Sequence, residues 1–210
     1  MSEKWKRILM AFVGVSLTGV SVGFFNYISL GPDPFTVLVN GIASLFGSTY
    51  GVFYMVVTGV LFVVVLFLDR HYIGIATLFN LFGIGIIADF VLGILKKVLG
   101  EQPLQMRLLL LAFTLVLLCF ASSLYMTAQL GVSTYDALSL IMAEKKLASF
   151  RVCRIGTDLT CILVGVLCHS VVGIGTVLTA FGMGPIIHLF LIHVSTPLLH
   201  GRKKNVEETV

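Results

Sequence analysis

Apolar residues fall along this chain in long, nearly charge-free blocks at 8–32, 49–68, 108–132 and 159–199. Each block reaches or exceeds the roughly 20 residues that an apolar helix needs to cross a bilayer, and the last is long enough for two segments. A further block, 72–95, does so with one acid, Asp89. The pattern predicts an all-α, polytopic membrane helix bundle. The first apolar run, Ile8 to Leu30, is too long for a secretory signal and lacks an evident small-x-small cleavage site, so it reads as a retained helix.

The blocks occur twice. At an offset of 100, Leu30, Gly31, Leu38 and Ala43 match Leu130, Gly131, Leu138 and Ala143, with Phe35 opposite Tyr135. At an offset of 99, "GIATLFNLFGIG" (74–85) aligns on "GIGTVLTAFGMG" (173–184). The chain therefore divides into two tandem membrane repeats, 1–102 and 103–200, and a cytoplasmic tail, 201–210. Each repeat is expected to hold a long helix (8–30; 107–130), a glycine corner, a short helix (34–46; 134–146) and two more long helices (49–68 and 72–97; 151–170 and 173–198).

The short helices decide the topology. Thirteen residues cover only about 20 Å of a hydrocarbon core about 30 Å thick. If they do not cross, the repeats are inverted and Lys96, Lys97 and Arg107 lie outside; if they cross, the repeats are parallel and only Arg70 does. The positive-inside bias favours parallel repeats with both termini cytoplasmic in a bacterial cell membrane, and the basic starts "KWKR" and "QMR" agree.

Composition fits the pattern: 58% of residues are hydrophobic and 11% charged, against about a quarter charged in soluble domains. The net charge of +4 comes from Lys and Arg at the ends of apolar runs, so it marks orientation and not a nucleic-acid partner. Cys119, Cys153, Cys161 and Cys168 form no CxxC and have no His at zinc-ligand spacing, so buried thiols are expected and neither a metal nor another cofactor. No Walker, HExxH, GxSxG or dinucleotide motif is present, and no enzymatic activity is expected.

Candidate chemistry gathers at the corners. Asp33 suits the N-cap before Pro34, and Ser133 can cap the other short helix with Asp136 in its first turn; helix capping alone would account for both acids. If the corners meet, they make the discontinuous-helix site that transporters build between repeats, bounded by Asp33, Asn40, Asp136, Ser139 and Asp158. Arg154 and Asp158 lie four apart on one helical face, as a structural ion pair that Arg151 could join or as half of a binding site. Asp89 aligns with His188; Asp89 can snorkel to Lys96 or Lys97, and with His188 it is a candidate for proton coupling. Thr77, Thr176, Asn80, Thr179 and the surrounding glycines suit close helix packing, as does Gly19-x-x-x-Gly23.

The corner "LGPDPFTVLVNGIASLFG", the corner "LGVSTYDALSLI" with "RIGTDL" downstream, and the "GIGT…GMGPIIHLF" ending resemble the YczE/YitT-type bacterial membrane proteins, in the YczE-like group without a soluble C-terminal domain. The resemblance covers about residues 10–195 and implies an architecture without a substrate. In the first half Ala76 stands where the motif has its second glycine. The functional expectation is a small-solute transporter or permease whose polar site lies between the repeats. The alternative is a non-transporting scaffold that binds a protein partner through the basic edge of Lys145, Lys146, Arg151 and the tail.

Overall fold

The computed structural model describes residues 3–200, apart from the side chains of Arg151 and His200; the basic tail at 201–210 lies outside the described residues. The helices are α1 (Glu3–Ile28), α2 (Pro34–Leu45), α3 (Tyr50–Leu68), α4 (Ile75–Leu99), α5 (Leu104–Ala128), α6 (Thr134–Glu144), α7 (Phe150–Leu167), α8 (Ile174–Phe190) and α9 (Thr196–His200). No strand occurs among the described residues. Five helical segments, α1, α3, α4, α5 and Ile174–Leu199, are long and apolar enough to cross a membrane. The 18-residue α7 has similar length, about 27 Å, but carries Arg151, Arg154 and Asp158.

Helices α1 and α5 form the central pair, and they run in opposite directions. Arg7, near the start of α1, donates to Ala128 O (3.4 Å) and Gln129 Oε1 (3.0 Å) at the end of α5. Arg107, near the start of α5, donates to Ile28 O (2.7 Å) and Ser29 O (3.1 Å) at the end of α1. Each arginine thus satisfies carbonyls that the other helix leaves open at its C-terminus and complements its dipole. Helix α4 runs parallel to α1, with Gly19 against Ile87 and Gly23 against Val91. Helix α8 runs parallel to α5, with the Cys119 thiol near Met183 O and Ser123 bonded to Ser195.

This arrangement replaces the expected parallel relation of the two halves by an inverted one. The charge argument misled because Arg107 is a helix cap and Lys96 and Lys97 occupy the last turn of α4, where cations stabilise any helix. Their position reports local electrostatics as much as membrane side. Leu199 packs with Met10 and Ala128, so α9 ends at the same end of the bundle as the start of α1.

The short helices do not cross. After Ile28 the chain turns through Ser29 (φ 53°) and Gly31 (φ 94°), and α2 then returns to the end it came from, where Ser44 meets Cys168 O at the end of α7 (3.2 Å). Helix α6 does the same at the opposite end after Gln129 (φ 51°) and Gly131 (φ 105°), with Ala137 and Ile141 packed on Val65 of α3. Side chains at Gly31 or Gly131 would be strained at those φ values and would collide with Gly173 N or Gly74 N at 2.4–2.5 Å. The corners are locked across the halves: Leu30 O accepts from Gly175 N and Leu130 O from Ala76 N, both at 3.0 Å. Thr77 adds a bond to Val132 O at 2.8 Å.

Candidate functional site

Both short helices begin with a side-chain cap. Asp33 Oδ2 accepts from Thr36 N at 3.1 Å, with Pro34 supplying the fixed φ of a first helical position. Ser133 Oγ accepts from Asp136 N at 3.2 Å. The caps aim the first turns of α2 and α6 at one another in the middle of the bundle. There Phe35 and Tyr135 stack with ring centroids 4.8 Å apart, and Tyr54 of α3 meets the Phe35 edge at 5.9 Å.

A charged network surrounds this stack. Arg154 of α7 pairs with Asp136 of α6 and, one helical turn along its own helix, with Asp158 at 3.5 Å. Its guanidinium also lies 4.6 Å from the centroid of the Tyr135 ring. Tyr125 of α5 donates to Asp136, and Tyr135 donates to Asp158. Asp136 and Asp158 are 7% and 6% exposed, whereas the Arg154 side chain keeps 31%. Ions withdrawn this far from water are held by pairing and hydrogen bonding together. Asp33 stands within electrostatic reach of Arg154 and Asp158, and its Oδ1 is buried with no hydrogen-bond partner. Ser139 completes one edge by its contact with Thr157 at 3.1 Å.

The structure therefore brings together Asp33, Asp136, Ser139, Arg154 and Asp158 and leaves the other candidates elsewhere. Asn40 donates to Asn26 Oδ1 at 2.8 Å near the end of α1. That pair lines a cavity of 190 Å³ with Phe25, Ser29, Pro32, Ser44, His169, Ser170 and Val171. Asp89 does not snorkel to Lys96 or Lys97. Its Oδ2 accepts from Gly51 N at 3.0 Å, because the open N–H groups at the start of α3 offer a nearer partner than a lysine at the membrane surface. His188 lies exposed on α8, apart from Asp89. Thr179 bonds back to its own helix at Gly175 O and Thr176 O.

Two tyrosines of the network carried a readable signal. Tyr125 stands at an offset of 100 from Phe25, and Tyr135 from Phe35, so in both pairs the second half adds a hydroxyl to the ring of the first. A buried Tyr hydroxyl calls for an acceptor, and the nearby acids supply it. Tyr54 follows the same rule in the first half, donating to Asn80 Oδ1 at 2.7 Å.

Long apolar helices around a buried ion network, with two half-length helices entering from opposite ends, define a multi-pass membrane protein. The chain belongs to the family of unknown function DUF6198, whose model matches residues 5–191. An uncharacterized protein of Haemophilus influenzae is 29% identical over 191 residues, 90% of this chain and 85% of that one. Two Bacillus subtilis proteins are each 26% identical over 187 residues, or 88% of this chain: the uncharacterized protein YyaS, 88% covered, and the uncharacterized membrane protein YczE, 81% covered. No solved structure matches.

Proposed function

We propose that the protein is a small-solute transporter of the bacterial cell membrane, working without covalent chemistry, with its polar site where the first turns of α2 and α6 meet. One observation carries this reading: Asp136, Arg154 and Asp158 form a buried ion network at the meeting point of two broken helices from different halves of the chain. Inverted halves with half-helices at their interface suit alternating access, in which one set of contacts opens as the other closes. Among the described side chains Asp33, Asp136 and Asp158 face one guanidinium, that of Arg154, so the network has acid in excess and favours taking up a cation with the solute over an anion.

Reconstituted protein should move at least one solute of a broad metabolite panel into liposomes, with Asp136→Ala and Asp158→Ala each abolishing the flux. No flux for any solute, with a cellular phenotype indifferent to both variants, would remove the transporter. The basic residues at the end of the bundle that holds α9 support the reading that both termini are cytoplasmic. A reporter fused after Ser48 should then give an extracytoplasmic signal, and one fused after Ser149 a cytoplasmic signal.

A second reading, a scaffold for a protein partner, draws on the exposed Lys145, Lys146 and Leu147 at the end of α6. Charge reversal at both lysines would cost it a co-purifying partner while leaving the buried network intact.

A further inference from the structure

The cavity at the end of the bundle opposite the start of α1 is one residue away from the ion network, since Pro32 lines it and Asp33 follows. Its volume of 190 Å³ corresponds to about six waters at roughly 30 Å³ each. Its polar lining is amide and hydroxyl, from Asn26, Asn40, Ser29, Ser44 and Ser170, with His169 at the rim; no carboxylate, Lys or Arg contributes.

Most of these groups already have partners. Asn40 donates to Asn26 Oδ1, Ser29 to Asn26 O, and Ser44 to Gly41 O and Cys168 O. Two do not: Asn26 Nδ2 and Ser170 Oγ are buried without a partner. Buried polar atoms are rarely left in that state, because the group gives up its water without a replacement bond. Asn26 and Ser170 both line the cavity; an amide N–H calls for an acceptor, and a hydroxyl takes either role.

The same place at the other end of the bundle is built differently. At an offset of 100, Met126 and Leu140 replace Asn26 and Asn40. There Val132 N bonds to Tyr72 O at 3.2 Å, and both residues pack on Val65 and Ile141. At one end two asparagines face each other beside the cavity, while at the other two apolar side chains stand in their place and a backbone bond joins Val132 to Tyr72.

From this difference and the two unmatched groups we infer that the cavity is a binding site for a small uncharged, polyhydroxylated solute. Hydroxyls on adjacent carbons both accept and donate, so one molecule can pair with the amide and hydroxyl side chains of the lining, Asn26 and Ser170 among them. A cation would meet no carboxylate in the lining, and an anion no Lys or Arg. The role of this site in flux rests on the transporter reading; its occupancy does not.

The test uses the full chain in nanodiscs, with Cys119, Cys153, Cys161 and Cys168 replaced by Ala and with Val171→Cys, at an exposed position of the cavity lining that makes none of the proposed contacts, as the target of a maleimide. Erythritol or ribitol at ten times its dissociation constant should slow labelling about tenfold. Choline and acetate should leave the rate unchanged. Labelling that neither polyol slows, or that choline or acetate slows equally, overturns the inference.

In protein with its native cysteines, the polyol should raise the melting temperature, and Asn26→Leu should abolish that rise; a rise that survives in the folded variant also overturns it. Protection without liposome flux keeps the site and removes the carrier. Flux of another solute without polyol protection does the reverse.

Discussion

Helices α3 and α4 occupy the place in the first half that α7 and α8 occupy in the second, yet one pair is closed and the other is open. Gly51 and Gly85 bring the α3 and α4 backbones together, such that a Cβ on either would lie 2.7 Å from the other's carbonyl oxygen. Tyr54 then reaches Asn80, and Asp89 binds the start of α3 through Gly51 N. At the corresponding positions of the second half stand Arg151, Gly184, Arg154, Thr179 and His188. A Cβ on Gly184 would meet nothing within 4 Å, Arg154 turns to Asp136, and Thr179 bonds to its own helix. Helices α7 and α8 consequently do not pack along their length. A third of the α4 span is buried, against 6% of the α8 span. The same scaffold thus holds a fixed pair and a separable one, and Arg154, at the position where Tyr54 closes the first pair, joins the charged network instead.

The largest expected effect separates Arg154 from its counterpart Tyr54. Arg154→Met leaves Asp136 and Asp158 without their cation and should destabilise the protein by about 3–5 kcal/mol, whereas Tyr54→Phe removes one neutral bond for about 1 kcal/mol. Thermal unfolding in detergent measures both. Adding Asp136→Asn and Asp158→Asn to Arg154→Met should recover most of the loss while leaving transport absent. Equal costs for the Arg154 and Tyr54 variants would break the comparison.

Next come the glycines of the two pairs. Gly51→Ala places a methyl 2.5 Å from Asp89 Oδ2 and should cost about 1–3 kcal/mol through overpacking. Gly184→Ala enters open space and should be neutral, or stabilising by up to about 1 kcal/mol from the better helix former. The smallest contrast is at Asp89 and His188. Asp89→Asn should cost about 1 kcal/mol by weakening the charge at the α3 N-terminus, and His188→Ala less than about 0.5 kcal/mol.

Much of this architecture was legible before any coordinates. The apolar blocks gave the long helices, and the short helices were bounded to within two or three residues because Asp33–Pro34 and Ser133–Thr134 are strong start signals. The match of Gly31 with Gly131 left the meeting of the corners as a condition; the corners themselves lie against Gly173 and Gly74, and it is the first turns behind them that meet, through Phe35 and Tyr135. Inversion was not legible, because a basic residue at a helix end looks alike whether it faces cytoplasmic lipid or caps a neighbour; Arg107 does the second. Asp89 misled for a related reason: the Gly51 N–H groups that hold it are invisible in a side-chain alphabet. Asn40 was drawn into the central site by nearness in sequence, while two turns of α2 carry it to the cavity. The Tyr125 and Tyr135 hydroxyls went unused because aromatic rings in an apolar run read as lipid-facing bulk.

The exchanged arginine caps bear on how the chain is made. During synthesis α1 emerges long before Arg107 exists, and its last carbonyls stay open until α5 has been threaded into the bilayer. The Leu30 corner waits longer still, for the amide of Gly175. A nascent first half is therefore an unfinished object, dependent on its later twin or on borrowed water and lipid headgroups, and a gene cut between residues 102 and 103 should yield two fragments that are stable only when produced together.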